Sequence, residues 1–281
     1  MPLLNELRDE THGCDHPVDS FIVQGLLKGL GNFQRRPSVI GWCFKMFHET
    51  AVNNIPCIRF LQDKRKALRD LSTQCPGKIT VVKLDVSDVD SISSAVETVS
   101  RIIGAGGLNL LINNAAINRP ETPAPLSACG KKDMMEAYET NVVGPFLLVK
   151  MLLPLLQKAA EMDYTVKGDK MSCSRSAIVN ISTLISSIEK CPETFPIAQM
   201  YPYRTSKAAL NMLTRCLAED FRRHNILVAA VHPGWVRTAM GGEEASLTPQ
   251  DSVGGMLSIL TSLSNKHSGM LLDWEGNTIP W

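Results

Sequence analysis

Residues 226–234 read Ile-Leu-Val-Ala-Ala-Val-His-Pro-Gly, an apolar run that ends in a polar turn. A continuous apolar run of this length is typical of a parallel strand that is buried on both faces. The same pattern occurs at residues 108–112, which are followed by two asparagines, and at residues 177–181, which are followed by a serine. These short apolar runs with polar ends predict a parallel sheet.

Further strand-like runs alternate with helical stretches along the chain. The other predicted strands are residues 21–23, 55–60, 79–84 and 270–273. The predicted helices are residues 91–103, 136–158, 205–223 and 252–262. A repeated strand–helix order predicts an α/β fold, a single Rossmann-type doubly wound parallel sheet with helices on both faces. Right-handed crossovers then place the carboxyl ends of the strands at one edge, where ligands bind.

The composition of the 281 residues fits one globular domain, with 44% hydrophobic and 20% charged residues. The 29 basic and 28 acidic residues give a net charge of +1, which argues against nucleic-acid or anionic-membrane binding by bulk charge. The most apolar stretch, residues 146–156, is shorter than the roughly 20 residues that a membrane-spanning helix needs. We expect a cytoplasmic protein, with residues 1–18 as a flexible N-terminal extension and residues 19–281 as the domain.

The cysteines and the N-terminus give no sign of secretion or of a metal site. The eight cysteines form no Cys-x-x-Cys pair, a distribution typical of reduced thiols. The first ten residues contain four charged side chains and no apolar run, so they do not resemble a signal peptide. We therefore predict no metal ligands.

The sequence Tyr203-Arg204-Thr205-Ser206-Lys207 places a phenol and an ammonium group four residues apart, on the same face of a helix. A nearby ammonium favours the phenolate, so it lowers the pKa of the tyrosine from about 10 toward neutral pH. A phenol tuned in this way can give a proton to a carbonyl oxygen or take one from an alcohol. The same spacing also occurs on ordinary helix surfaces, so the accompanying motifs decide between a surface pair and a catalytic pair.

Several motifs accompany the Tyr203–Lys207 pair in a fixed order. The first three, each after a predicted strand, are Gly25-Leu26-Leu27-Lys28-Gly29-Leu30-Gly31, Asn113-Asn114-Ala115-Ala116 and Asn180-Ile181-Ser182-Thr183. The fourth is Pro233-Gly234-Trp235-Val236-Arg237-Thr238. Together they resemble the short-chain dehydrogenase/reductase family over residues 19 to 281. Longer matches at 203–211, 232–238 and 273–281 resemble its carbonyl-reductase branch, which includes sniffer and C-factor-like proteins.

This resemblance implies a catalytic role for five residues. Tyr203 would be the general acid/base, and Lys207 would lower its pKa and bind the nicotinamide ribose. Asn141 would hold a water in a proton relay to Lys207. A hydroxyl after the third motif's strand would polarise the substrate carbonyl. The family's serine position corresponds to Thr183, which offers the same hydroxyl with a stiffer χ1, and Ser182 is the alternative.

The resemblance also implies a site for NADP(H), preferred over NAD(H). Glycines after the first strand would let the backbone approach a pyrophosphate at a helix N-terminus. Residues 58–60 read Ile-Arg-Phe, without the acidic ribose ligand of NAD enzymes, and an arginine there would bind the 2′-phosphate. The residues implied to bind the cofactor are Gly25, Lys28, Gly29, Leu30, Gly31, Arg59, Asp85, Val86, Asn114, Ala115, Tyr203, Lys207, Pro233, Gly234 and Thr238.

The substrate implied by the resemblance is a small-molecule carbonyl or alcohol, with no nucleic-acid or membrane partner. Residues 184–200 and 239–250 would shape its pocket. The resemblance also implies a homodimer or homotetramer, formed through the two long predicted helices. A sugar-nucleotide epimerase also uses Tyr-x-x-x-Lys, but few residues follow Thr238 to form its substrate domain.

Two departures from the family pattern keep a non-catalytic alternative open. Gln24 stands where the family has threonine. Pro37, which lacks an amide hydrogen, interrupts the helix expected after Gly31. A chain altered in this way could serve as a binding or regulatory protein on the same fold.

Overall fold

The computed structural model describes residues 39–41 by their backbone, together with residue 73, residues 80–162 and residues 171–281. Within these residues six strands form one sheet, and their spatial order follows the chain. The strands are β1 (Val39–Gly41), β2 (Leu110–Asn113), β3 (Ala177–Ile181), β4 (Leu227–His232), β5 (Leu271–Asp273) and β6 (Thr278–Ile279). Neighbouring strands are parallel from β1 to β5, and β6 is antiparallel to β5.

The described helices lie between these strands. They are α1 (Val89–Ile103), α2 (Lys131–Tyr138), a π-helix (Glu139–Val143), α3 (Gly144–Glu161), α4 (Cys191–Thr194), α5 (Tyr201–Phe221) and α6 (Pro249–Ser262). Short 3-10 turns are Leu126–Ala128, Leu184–Ser186, Arg222–His224 and Asn265–His267. Side-chain caps fix two of the starts: Asp88 accepts from the Asp90 amide at α1, and Thr248 accepts from the Asp251 amide at α6.

Helices cover both faces of the sheet, as predicted. In β3, Ile178 packs into the cluster formed with α1, α3 and α5, whereas Val179 packs into the cluster that contains α6. In β4, Val228 and Ala229 divide in the same way. Because successive strand residues point to opposite faces, an uninterrupted apolar run supplies both cores.

The fold differs from the sequence prediction at three places. The predicted strand at residues 79–84 is wrong where it is described: residues 80–84 form no ladder, although Val82 and Leu84 are buried in the core. An apolar run specifies burial, whereas a strand also needs backbone hydrogen bonds to a neighbouring strand. The predicted strand at residues 55–60 lies outside the described residues. The predicted strand at residues 21–23 also lies outside them. Unpredicted strands occur at Val39–Gly41, paired with β2, and at Thr278–Ile279.

The helix predicted at residues 136–158 belongs to a longer helical run, Lys131–Glu161, in which the π-helix interrupts the α-helical hydrogen bonding. By length and composition this run is the one helix among the described residues that could cross a membrane. Its side chains Leu148, Leu152 and Leu156 are buried against the sheet, as in the core helix of a soluble protein, which satisfies the same criterion.

Candidate active site

Tyr203 and Lys207 lie one turn apart on α5, with Lys207 Nζ 5.8 Å from the centre of the Tyr203 ring. The side chain of Lys207 is 2% exposed, and Nζ donates a 2.7 Å hydrogen bond to the carbonyl oxygen of Ile181 at the end of β3. Burial disfavours the ammonium form and lowers the pKa of Lys207 from 10.5 to about 7. The charge expected beside the phenol is therefore present below neutral pH and decreases above it.

The two candidate hydroxyls after β3 have different environments. Ser182 Oγ donates to Asn211 Oδ1 at 2.6 Å and lies 3.2 Å from Ser186 Oγ. Asn211 Nδ2 in turn donates to Ser186 Oγ at 2.8 Å, so Ser182 belongs to a buried network that joins β3 to α5. Thr183 Oγ1 accepts a 3.4 Å hydrogen bond from the Ile185 amide. This bond uses a lone pair of Oγ1 and not the hydroxyl hydrogen of Thr183.

Asn141 is completely buried within the π-helix, and its side chain is fully engaged. Its Oδ1 accepts from the Ile117 amide at 2.8 Å, and its Nδ2 donates to the Ile117 carbonyl and to Ser206 Oγ, both at 2.9 Å. Ser206 Oγ donates to the backbone carbonyl of Tyr203 at 2.8 Å. Asn141 thus connects the segment after β2 to the helix that carries Tyr203 and Lys207. Both of its amide hydrogens are therefore donated within the protein.

The residues predicted to contact the nicotinamide lie on a tightly folded loop after β4. Gly234 has a φ of +82°, a conformation that strains any residue with a Cβ, and a Cβ there would also have to displace Leu247 Cδ1. The Pro233 carbonyl accepts from Ser252 Oγ at 2.6 Å, and Thr238 Oγ1 accepts from the Gly241 amide at 3.0 Å. These bonds fix the loop at the carboxyl edge of the sheet.

Three of the residues predicted on the adenine side line one open, mainly apolar pocket. Val86, Asn114 and Ala115 line it together with apolar side chains of β2, α1 and α3. Asp85 is exposed and accepts from the backbone amide and hydroxyl of Ser87. An apolar wall beside two asparagines, Asn113 and Asn114, is chemically suited to a heteroaromatic base.

The remaining predicted cofactor residues, Gly25, Lys28, Gly29, Leu30, Gly31 and Arg59, lie outside the described residues. No group of three or more metal-ligating side chains occurs in the described part of the chain. The described cysteines Cys129, Cys173, Cys191 and Cys216 are unpaired thiols. Burial raises the pKa of Cys173 to about 12, so this thiol stays protonated.

Ser206 and Asn211 belong to the site, but the sequence analysis assigned them no role. Both lie on α5 and bond to the residues that position Tyr203 and the strand end. Their helical spacing was the available signal: Ser206 follows Tyr203 by three residues, and Asn211 follows Lys207 by four. Polar residues at such spacing on an otherwise buried face need partners, and here the partners are Asn141 and Ser182.

The family model for short chain dehydrogenases matches residues 43–247, so the chain belongs to this family of oxidoreductases. The match begins after the predicted glycine motif. C-signal of Myxococcus xanthus is 31% identical over 176 residues, which are 63% of this chain and 94% of that protein. Short-chain dehydrogenase anuI of Penicillium roqueforti is 27% identical over 228 residues, 81% of this chain and 86% of that protein.

Solved structures of carbonyl reductases have the same fold. An NADPH-bound carbonyl reductase from chicken fatty liver is 37% identical, with a TM-score of 0.77. Carbonyl reductase Sniffer of D. melanogaster is 30% identical, with a TM-score of 0.76. Each alignment covers 92% of this chain and 94% of the other. The predicted family and α/β fold are confirmed, and the similarity includes the carbonyl-reductase branch.

Proposed function

We propose that this protein transfers hydride between NADP(H) and a carbonyl or alcohol substrate, with Tyr203 as the general acid/base. The observation that carries the proposal is the placement of Tyr203 beside Lys207, an almost fully buried lysine whose pKa is near neutral. A phenol beside a desolvated cation at a strand's carboxyl edge suits proton transfer to oxygen better than it suits a surface pair.

Proton transfer is the part of the reaction that this chain's own residues perform. When bound, NADPH supplies the hydride for the carbonyl carbon. Tyr203 gives its phenolic proton to the carbonyl oxygen, and the ammonium of Lys207 stabilises the phenolate that remains. The bond from Lys207 Nζ to the Ile181 carbonyl holds the cation in place, so little reorganisation accompanies the transfer.

Thr183 is the better candidate to hold the substrate carbonyl. The bond from the Ile185 amide does not use the hydroxyl hydrogen of Thr183, whereas Ser182 donates its hydroxyl hydrogen to Asn211. A hydroxyl that donates to the carbonyl oxygen stabilises the negative charge that develops there. Asn141 has a positioning role through Ser206, and it would also hold the water of the predicted proton relay to Lys207.

The cofactor preference rests on the sequence and on the relatives. Arg59 and Lys28 are basic, and the carbonyl reductase from chicken fatty liver binds NADPH. In the described part of the chain, Val86, Asn114 and Ala115 would hold the adenosine, and Pro233, Gly234 and Thr238 would lie against the nicotinamide. The residues predicted to hold the phosphates are Gly25, Lys28, Gly29, Leu30, Gly31 and Arg59.

A homodimer or homotetramer would cover apolar side chains on the long helices. Tyr138, Phe146 and Met212 are exposed on α2, α3 and α5. Burying such side chains against a second copy would stabilise an oligomer. In light scattering we expect two or four times the mass of one chain, which is 30.9 kDa. The cytoplasmic location remains a prediction.

The deciding experiment titrates the purified protein with NADPH and NADH and then measures NADPH oxidation with a panel of aldehydes, ketones and quinones. We expect tighter binding of NADPH, and a kcat in Tyr203→Phe that is lower by about 100- to 10,000-fold. Tyr201→Phe is the matched control, because Tyr201 lies on the same helix and its ring packs against Phe195.

Three outcomes have distinct meanings. Equal activity of Tyr203→Phe and the wild type would overturn the role of Tyr203. A loss of the NADPH preference in Arg59→Ala would support the predicted 2′-phosphate contact. A folded protein that binds neither nucleotide would favour the non-catalytic alternative.

A further inference from the structure

Arg204 is a buried arginine next to the proposed acid. It follows Tyr203 on α5, and its side chain is 6% exposed. Successive residues of an α-helix point about 100° apart, so Arg204 faces a different side of α5 from Tyr203. That side is covered by residues 184–200, the connection between β3 and α5 that was predicted to shape the substrate pocket.

The guanidinium of Arg204 holds this connection at its beginning, middle and end. Nε donates to the Ala198 carbonyl at 2.8 Å. Nη1 donates to the Ile185 carbonyl at 3.1 Å and to Thr194 Oγ1 at 3.0 Å. One side chain on α5 therefore fixes residues 185–198 as a unit.

Aromatic contacts complete the attachment. The guanidinium carbon lies 5.5 Å from the centre of the Phe195 ring, and that ring meets Tyr201 edge-on at a centroid distance of 5.3 Å. Tyr201 is the first residue of α5. Residues 185–198 thus pack against the turn of α5 that presents Tyr203.

The cost of this arrangement argues for a role beyond stability. Among the described residues no carboxylate forms an ion pair with Arg204, and its buried Nη2 donates to no other atom of the protein. Burying a charge without a countercharge is unfavourable, and an apolar side chain could fill the same space more favourably. What an apolar side chain could not do is bind three separated polar groups in a defined geometry.

We propose that Arg204 is a positioning residue that fixes residues 185–198 against α5 and thereby aligns the carbonyl substrate with Tyr203. The inference rests on the proposed function. Arg204 touches neither the substrate nor the cofactor in this role. It acts through the wall of the substrate pocket, so its loss affects the carbonyl substrate and leaves the binding of NADPH unchanged.

The test compares Arg204→Ala and Arg204→Lys with Arg215→Ala. Arg215 is a matched control because it lies on the same helix and donates to a backbone carbonyl, that of Gly269, at 3.2 Å. Three quantities are measured for each protein: amide hydrogen exchange of residues 185–198, the Kd for NADPH, and kcat and KM for a carbonyl that the wild type reduces.

We expect faster exchange in residues 185–198 of Arg204→Ala, an unchanged Kd for NADPH, and a kcat/KM that is lower by about 10- to 100-fold. Arg204→Lys retains the charge but has one donor nitrogen, so it is expected to recover only part of the loss. Addition of guanidinium ion to Arg204→Ala is expected to restore part of kcat/KM, which a general loss of stability would not allow. Arg215→Ala is expected to match the wild type in all three quantities.

Thr194→Val keeps the test decisive if Arg204→Ala does not fold. It removes one partner of the guanidinium from the loop side and preserves the shape of the side chain. We expect a smaller fall in kcat/KM, with the same unchanged Kd for NADPH. An unchanged kcat/KM in both Thr194→Val and Arg204→Lys would overturn the proposal.

Two further results separate the inference from the proposed function. If the wild type binds NADPH and reduces carbonyls, and Arg204→Ala has faster exchange but an unchanged kcat/KM, then Arg204 only stabilises the loop and the inference alone is overturned. A wild type that binds no nucleotide would overturn the proposed function and the inference together.

Discussion

Lys207 decides the electrostatics of the site at the scale of single residues. The spacing of Tyr203 and Lys207 predicted a charged ammonium near the phenol, and the structure adds that this ammonium is desolvated. A lysine with a pKa near 7 changes its charge within the range in which most enzymes work. The proposed catalytic pair is therefore expected to be sensitive to pH.

The first prediction concerns the pH profile of carbonyl reduction. As the pH rises through about 7, Lys207 loses its proton and stabilises the Tyr203 phenolate less. We expect kcat/KM for the carbonyl to fall across this range, and a series of initial rates at constant ionic strength measures it. Lys207→Arg keeps its charge at all these pH values and is expected to lack the inflection, so an inflection that persists in this variant would assign it to another group.

The second prediction separates the two hydroxyls at the end of β3. Thr183→Ala is expected to lower kcat/KM by about 100-fold, the usual effect of removing a donor to a developing oxyanion, with little change in the free energy of unfolding. Ser182→Ala leaves Asn211 Oδ1 without its 2.6 Å donor and is expected to cost about 1–3 kcal/mol of that free energy. Urea denaturation and steady-state rates on both variants measure the two effects. A large loss of activity in Ser182→Ala at full stability would reverse the assignment.

At the scale of elements, the π-helix lets the helical run Lys131–Glu161 serve two sites at once. Asn141 within it bonds to Ile117 and Ser206, while Gly144, the first residue of α3, packs against the segment that contains Val86. π-Helical turns inside longer helices occur frequently at functional sites. Here the turn directs a buried amide toward the helix that carries Tyr203.

The third prediction tests the close approach at Gly144. A Cβ at this position would lie 2.6 Å from the Val86 carbonyl oxygen, so Gly144→Ala is expected to lower the free energy of unfolding by about 1–3 kcal/mol. Gly254→Ala in α6 is the matched control, because a Cβ there meets nothing within 4 Å. It is expected to raise stability by about 0.5–1 kcal/mol, the usual gain for alanine over glycine in a helix. Equal effects of the two substitutions would contradict the observed packing.

At the scale of the whole molecule, two apolar clusters enclose a sheet whose carboxyl edge carries the polar groups. The clusters lie on opposite faces of β2, β3 and β4, and Lys207 on α5 is buried at the end of β3, where it bonds to the Ile181 carbonyl. A charge buried so deeply affects the stability of the entire fold as well as the chemistry of the site.

The fourth prediction follows from that linkage. The pKa of Lys207 is about 7 in the folded state and near 10.5 when unfolded, so the unfolded chain binds more protons between these values. The unfavourable contribution of Lys207 is complete below about pH 7 and is relieved as the pH rises toward 10.5. We expect the stability of the wild type relative to Lys207→Met to increase from pH 6 to about pH 9, measured by urea denaturation without nucleotide. A difference that does not vary with pH would show that Lys207 is hydrated.

Much of the fold was predictable because it depends on local patterns. The apolar runs at residues 177–181 and 226–231 became β3 and β4, and the four predicted helices all formed with shifts at their ends. The exceptions depend on partners far along the chain. Residues 80–84 have the composition of a strand but form no ladder. Val39–Gly41 forms a strand because it pairs in register with β2.

The sequence by itself predicted the α/β class from its apolar periodicity, and it predicted the family and the proposed pair Tyr203 and Lys207 from the resemblance of its motifs. This was possible because periodicity and motif spacing are properties of neighbouring residues. The tertiary structure alone decided the pKa of Lys207, the different environments of Ser182 and Thr183, and the contacts of Arg204. These properties depend on burial and on hydrogen bonds between segments that are distant in sequence. Burial sets the free-energy cost of a charge, and long-range contacts decide which hydroxyl already donates its hydrogen within the protein. Neither property can be obtained from spacing along the chain.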